Sequence, residues 1–503
     1  MYSVNDSNYH ARKIWTEAGL PDEFLENLHL GDTPDPSVNS SFRLGTAAQT
    51  TIGLSGLAAA YFYQLASGKA QTVSVDPRHA ILEFKSESYW LIDDKKPSGK
   101  SFDELSGLYQ TKDGFVRIHT NFPHHKQGIL DLLHCEATRE SIQAALLTWD
   151  AQEFEDQVAY NGMCATKSRT FEEWDKHPHA LAIRTTPPVQ LIKVGEAPKR
   201  ETYSSASHPL DGIRVLDLTR VLAGPIAGRT LAAHGADVLL ITSPNLPDLP
   251  YLDCDTSRGK RTTQLELNNE VDRTKLKELA KEADVFLQAY RPGGLRDKGF
   301  GVAELVQEHP GLVCASLTAY GWDGPWKDRR GFDSLVQNAT GFGYAEAEAF
   351  QQSLKDPNGN EAPLRPLPCQ AIDHASGYLL AFGINAALCK TVTEGGSWEV
   401  RVSLAAVGQW IRSLGRIEPH AAFEKSLSLP SGAVPWPDEL ITHSVNLRQS
   451  RPDSNTQDET QLKKMTAVAH AAKLSLTPVV EGEAPLRLDA NEAKWLQRES
   501  REA

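Results

Sequence analysis

One aspartate and one basic turn are the side chains in this sequence whose types and settings could do chemistry. Asp373 lies in Pro368-Cys369-Gln370-Ala371-Ile372-Asp373-His374-Ala375-Ser376-Gly377, just ahead of a long apolar run. A carboxylate in that setting reads first as a helix N-cap, which accepts backbone N–H groups and stabilises the helix by ~1 kcal/mol. Ser257-Arg258-Gly259-Lys260-Arg261 places three cations around a glycine, on its own a solvated turn. Other groupings lose their chemistry on inspection. Gly99-Lys100-Ser101 has Asp94 where a phosphate-binding loop needs its first glycine. His124 and His125 have no further ligands at metal spacing and read as surface residues, so no metal is expected. Cys135, Cys164, Cys254, Cys314, Cys369 and Cys389 form no CxxC pair and fit reduced thiols better than a disulfide frame.

These residues need a framework, and residues 209–341 supply one. Asp211 to Leu218 is a short β-branched run that predicts a buried strand. The turn 219–229 carries two glycines and a proline, a small-residue helix follows to Ala236, and Asp237 to Ile241 predicts the next strand. A helix over 273–282, a strand over 283–288, a Gly-Pro loop over 291–294, a helix over 302–309 and a strand over 312–317 continue the alternation. Such βαβ units predict a mostly parallel sheet covered by helices, with ligands beyond the carboxyl ends of the strands. The first turn reads AGPIAG instead of GxGxxG, and the second strand ends in Thr242-Ser243 without an acidic ribose partner, which disfavours a dinucleotide.

The runs LDGIRVLDLTRVLAGPIAGRTLAAHGADVLLI, SRGKRTTQLEL, ADVFLQAYRPGGLRDKGFG, HPGLVCASLTAYGWDGPW and RGFDSLVQNATG, in that order, resemble the class III CoA-transferase family. Carnitine-CoA transferases belong to that family, and α-methylacyl-CoA racemases are its close relatives. The resemblance runs from about Pro209 to about Ser403. It implies a Rossmann-like sheet with helices on both faces, a smaller α+β domain, and a reaction moving CoA between an acyl-CoA and a carboxylic acid. By the same resemblance Asp373 is the carboxylate that becomes acylated. Val221, Leu222, Ala223, Ala289 and Tyr290 fall on adenosine and pantetheine contacts, and Lys260 lies in the turn that meets the CoA phosphates. Arg261, Arg291 and Arg296 are further candidates for those phosphates. CoA is then a substrate, with no permanently bound cofactor. The chain departs from the family at Thr242, Pro244, Asp297 and Thr318, all near these contacts. Phe332 stands where the racemases carry a histidine, and a phenyl ring cannot move a proton. Transfer is therefore preferred to racemisation. A non-catalytic CoA-binding protein is the third reading. Oxyanion donors are expected from backbone near Gly341, Gly377 or Gly432, and the sequence leaves the choice open.

An internal echo organises the rest. Residues 46–65 form an Ala-, Gly- and Leu-rich helix ending near Gly68, and 71–75 alternate like a strand. The same order recurs from Asp373 to Cys389, through Gly395, to a strand over 398–403. Aligning Gly68 with Gly395 sets Thr46 opposite Asp373, a partial duplication in which only the second copy offers a carboxylate. Gly-Glu-Ala-Pro at 195–198 and 482–485 is a second echo. The expected domains are an arm and degenerate repeat (1–82), a small α+β domain with its return linker (83–207), the large CoA-binding domain (208–410) and a tail (411–503). Within them, residues 21–30 and 465–473 read as short helices and 443–463 as a loop. With 23% charged residues and a formal charge of −13, nucleic-acid and anionic-membrane partners are disfavoured. The amino terminus lacks the pattern of a leader, and no stretch reaches the ~18 apolar residues of a membrane span. A cytoplasmic homodimer is the expectation, an organelle matrix the alternative.

Overall fold

A computed structural model of the 503-residue chain describes residues 6–202, 206–291, 293–354, 364–448, 464–480, 482–485 and 487–498. Its largest sheet has seven strands in the order Arg261–Gln264, Asp237–Thr242, Arg214–Leu218, Val285–Gln288, Val313–Thr318, Ser397–Ser403 and Gln190–Gly195. The first six are mutually parallel and Gln190–Gly195 closes the edge antiparallel. Parallel strands covered on both faces are apolar throughout, which is why runs such as Asp237–Thr242 are almost fully buried. Chain order along the sheet reverses between Arg214–Leu218 and Val285–Gln288. This is the doubly wound arrangement, with its crevice at the switch point beyond those two strand ends.

The duplication is visible in the backbone. Helices Leu44–Ser67 and Ala371–Thr393 pack against each other at the centre. Arg43 precedes the first at φ −78, ψ 64, and Gln370 precedes the second at φ −78, ψ 61. Each helix is followed by a left-handed glycine, Gly68 (φ 75) and Gly395 (φ 71). Strands Val73–Val75 and Ser397–Ser403 come next, and then a helix whose first turn is capped by a side chain. Asp76 accepts from the His79 N–H, Ser403 from the Ala406 N–H. These pairs keep one constant sequence offset, the offset that sets Thr46 opposite Asp373.

The first copy lacks the large sheet. Its strand Val73–Val75 lies in a three-stranded sheet between Leu28–Leu30 and Ala472–Leu474. Trp90–Ile92 pairs with Lys464–Val468, which pairs with Ser444–Arg448. Gly107–Gln110, Phe115–Ile118 and Ala165–Lys167 form a third small sheet, closed by Pro123–Leu133, Arg139–Leu146 and Ala151–Tyr160 around Val116, Ile118, Ile129 and Phe154.

Several sequence expectations are corrected. The stretch 465–473 is two strands and not a helix, because its alternating apolar residues find sheet partners far away in sequence. Of the expected loop 443–463, Ser444–Arg448 is a strand and 449–463 lie outside the described residues. Ser7–Glu17, capped by Asp6, is an unforeseen helix, and 21–30 is a 3-10 turn plus a strand. Ala371–Thr393 is long and apolar enough by length and composition to cross a membrane. Its most apolar window is 94% buried within the protein, as suits a core helix.

Candidate active site

Asp373 is not the cap of its helix. Gln370 occupies the N-cap position without a side-chain hydrogen bond. The first N–H groups are instead taken by Asp333, whose Oδ2 accepts from the Ile372 N–H at 2.8 Å and the Asp373 N–H at 2.9 Å. Gln337 Nε2 donates to the other oxygen of Asp333. The Asp373 carboxyl is thereby left without a hydrogen-bond donor among the described residues, on a residue only 7% exposed. Burial, then the negative charges of Asp333 and Glu87, hold it well above the usual carboxylate range. Burial also lifts Asp333, to about 6. Glu87, from the first half of the chain, lies 2.9 Å from Nε2 of the adjacent His374. The result is an electron-rich carboxyl held ready beside two others, the setting in which a carboxylate is a strong nucleophile once ionised.

The small domain forms one wall of this site. Phe332, immediately before Asp333, stacks face to face on His119 at 3.9 Å between centroids and 9° between planes. Phe102 meets His119 edge-on, and Phe122 flanks Phe332. A histidine therefore does lie beside the position where Phe332 replaces one. Burial pushes His119 down to about 3, far from the value near 7 that suits a general base at neutral pH. His125, expected at the surface, is buried, and its Nε2 accepts from Arg330 at 2.9 Å.

The switch-point crevice gathers one group of the expected CoA contacts. Val221, Leu222 and Ala223 follow Arg214–Leu218, and Ala289, Tyr290 and Arg291 follow Val285–Gln288. Gly224 permits close packing here, since a Cβ on it would sit 2.8 Å from the Ala289 Cβ. Val221 holds φ 74, a left-handed conformation a β-branched residue adopts only under strain of about 1–3 kcal/mol. Next to the turn a cleft of ≈ 470 Å³ is lined by Thr219, Arg220, Val221, Thr242, Asp253 and Phe122, among others. Arg220, which the sequence did not single out, lies over the Phe122 ring at 5.0 Å. A Cβ on Gly377 would come within 2.6 Å of the Ala223 carbonyl oxygen. The turn therefore abuts the Asp373 helix one turn beyond the carboxyl.

Lys260 and Arg261 do not join this crevice. Lys260 Nζ is fully buried, 2.7 Å from Asp217 Oδ2 and 2.9 Å from the Pro225 carbonyl, so its ammonium is turned inward and away from any phosphate in solution. Arg261 opens its strand, at the sheet edge opposite the crevice, and grips Asp237 with both Nε and Nη2. Arg296 is exposed and pairs with Asp297, and Arg291 is exposed at the crevice rim. Of the glycines expected to supply oxyanion donors, Gly377 lies inside the helix, where its N–H serves the ladder. Gly341 packs on Phe171, and Gly432 on the Ser88 carbonyl. What sequence reasoning missed is Asp333, Glu87, Arg117, His119 and Arg220. Asp333 and Arg220 lie inside quoted motifs, whereas nothing near Glu87 signals its role.

Comparison with known proteins bears on the same segment. Residues 210–421 match the family model described as CoA-transferase family III. An acetyl-coenzyme A transferase of Hypoxylon pulicicidum is 36% identical over 222 residues, which are 43% of this chain and 36% of the relative. An acyl-CoA transferase of Gibberella moniliformis is 32% identical over 280 residues, 54% of this chain and 48% of the relative. The crystal structure of a CaiB/BaiF family protein from Brucella suis aligns with 40% of this chain and 54% of its own at 27% identity, with a TM-score of 0.35. The chain thus spans about half or less of the length of these relatives. Over residues 210–421, the segment that carries both the switch-point crevice and Asp373, it matches the model of CoA-transferase family III.

Proposed function

We propose that this protein transfers CoA from an acyl-CoA to a carboxylic acid, with Asp373 as the covalent carrier. The observation that carries the reading is the Asp373 carboxyl itself, buried and without a donor while Asp333 takes over the capping of its helix. A carboxylate kept only for helix stability would accept those N–H groups itself.

The chemistry follows from the setting. One Asp373 oxygen attacks the thioester carbon, the C–S bond breaks, and CoA leaves as thiolate with a mixed anhydride behind. The thiolate then attacks the aspartyl carbonyl, releasing the first acid as its carboxylate and leaving an aspartyl thioester. The acceptor carboxylate attacks that carbonyl and expels thiolate. Finally the thiolate takes the new acyl group, which regenerates the Asp373 carboxylate. No net bond energy is required, since one thioester is exchanged for another. What the chain supplies is position and a water-poor pocket. In this reading an acyl-CoA in the crevice passes its thioester to Asp373 across the turn over 221–223, a path supported by the close approach of Ala223 to Gly377 of the Asp373 helix. The first N–H groups of the helix Ala223–Ala233 lack intrahelical partners and serve as oxyanion donors in this reading. The low basicity of His119 weighs against the racemase alternative.

Incubating the protein with acetyl-CoA and hydroxylamine tests the assignment. The expected product is a hydroxamate on Asp373, read by peptide mass. Label on another carboxylate, with transfer proceeding, would overturn it.

A further inference from the structure

Four of the 16 histidines meet where the tail crosses the first half of the chain. Glu83 ends the helix Pro77–Glu83 and receives both the His470 imidazole, 2.9 Å away at Nδ1, and the Ala471 N–H at 2.8 Å. From the same helix His79 Nε2 lies 2.9 Å from the Ala469 carbonyl, which can only accept, so Nε2 carries the proton. His443 stacks on His79 at 4.3 Å between centroids, and its carbonyl takes the Ala469 N–H. His234 completes the group, edge-on to His470 at 5.3 Å. The turn 469–471 is thus clasped from three segments.

The other ring nitrogens of the three innermost imidazoles are idle. His79 Nδ1, both nitrogens of His234 and His470 Nε2 are buried without a partner among the described residues. Glu83 can answer one positive charge, and Arg229 already stands 3.7 Å from it. Asp255 is engaged by Arg229 and Arg258, while His208 and Tyr378, which also border the cluster, bring no negative charge at neutral pH. A further proton here is a buried cation whose new N–H meets no acceptor, which is strongly unfavourable. Burial accordingly lowers His79 to about 4 and His234 to about 3, from an ordinary 6.5. The closed state then binds fewer protons than an open one, and the stability this gives, full above about 6.5, is lost as pH falls toward those values.

The fold decides what opens first. The turn leads into Ala472–Leu474, a three-residue strand at the edge of its sheet, the kind of element that opens locally before a core does. We infer that His79, His234 and His470 form an acid-sensitive latch, whose protonation frees the turn 469–471 and the strand Ala472–Leu474 from the first half of the chain. The tail also braces the switch-point crevice from behind. The Val480 N–H meets the Ala233 carbonyl at the end of the helix Ala223–Ala233, and Arg258 donates to the Val468 carbonyl at 2.9 Å. Release of the latch therefore loosens the far end of that helix.

Hydrogen exchange of the full chain, labelled at pH 7.5 and 5.5 for times scaled to equal intrinsic rates and read by peptide mass, tests this. One unit below the ordinary histidine value, each imidazole should favour the open form by about tenfold. Peptides covering 469–475 should exchange at least tenfold faster at pH 5.5 and recover at pH 7.5, while those covering Val313–Thr318 keep their rate. His234→Phe and His79→Gln take up no proton there, and each should remove about tenfold of the acceleration. Equal exchange at the two pH values, acceleration that extends to Val313–Thr318, or acceleration undiminished in both variants each overturns the inference. The first two outcomes are read on the wild type and need no variant to fold.

Discussion

The two central helices begin with the same backbone and end with different chemistry. At Leu44–Ser67, Asp35 accepts from the Gly45 N–H at 2.9 Å, the Thr46 N–H at 3.0 Å and the Thr46 hydroxyl at 2.7 Å. At Ala371–Thr393, Asp333 accepts from the Ile372 and Asp373 N–H groups, and the side chain in the place of Thr46 is a carboxyl that takes no part in capping. An aspartate from outside the helix satisfies the first turn in both copies. Once that duty is external, the third helical residue is free to vary. In one copy it is a hydroxyl absorbed into the cap, in the other a carboxyl held in reserve.

The comparison breaks most visibly at Asp373. Asp373→Asn and Asp373→Ala should fold, as circular dichroism will show, because the capping is done by Asp333. Transfer should fall by a factor on the order of 10³ or more. Near-native turnover in the Asn variant would remove the asymmetry between the copies. Lys260→Ala tests a third carboxylate, Asp217, whose charge is answered directly. Removing the lysine leaves a buried aspartate alone, and the expected cost is ~3–5 kcal/mol in chemical denaturation. A variant of native stability whose only defect was a raised KM for acyl-CoA would return Lys260 to the phosphate site.

Asp35→Ala and Asp333→Ala both remove a cap, and each should cost ~1–2 kcal/mol. Only Asp333 should also alter the pH profile. Its negative charge raises Asp373, so Asp333→Asn lowers Asp373 and moves the acid limb of kcat/KM to lower pH, whereas Asp35→Asn leaves that limb in place. Asp333 itself sits at about 6 in the folded chain against an ordinary 3.8. The folded state therefore holds that proton more tightly, and this contribution to stability, full below about 4, is lost as pH rises through about 6. The smallest effect is expected at Thr46→Ala, ~1 kcal/mol in stability with turnover within about twofold. A collapse of turnover there, with the fold intact, would give the first copy a chemical role.

Much of this was legible in the sequence. Strand, turn and helix signals around 209–341 are local, and the doubly wound sheet follows from them. The duplication could be read from Gly68 and Gly395, since a left-handed turn after a long helix needs a residue without a Cβ. Asp373 was singled out, but its setting was misread. The sequence shows a carboxylate at a helix start and cannot show that a second carboxylate, far along the chain, already caps it. Lys260 was misjudged for the same reason, as only the fold brings Asp217 beneath it. Arg117 and Glu87 lie in segments without motifs, and only the fold brings the small sheet and the 3-10 turn Ser86–Ser88 to this part of the molecule.

The stacking of Phe332 on His119 joins the small sheet, within one chain, to the segment whose Asp333 caps the helix Ala371–Thr393. Because both surfaces are tethered, their meeting is governed by an effective local concentration in place of a bimolecular equilibrium. Diluting the protein should therefore leave this wall of the site assembled.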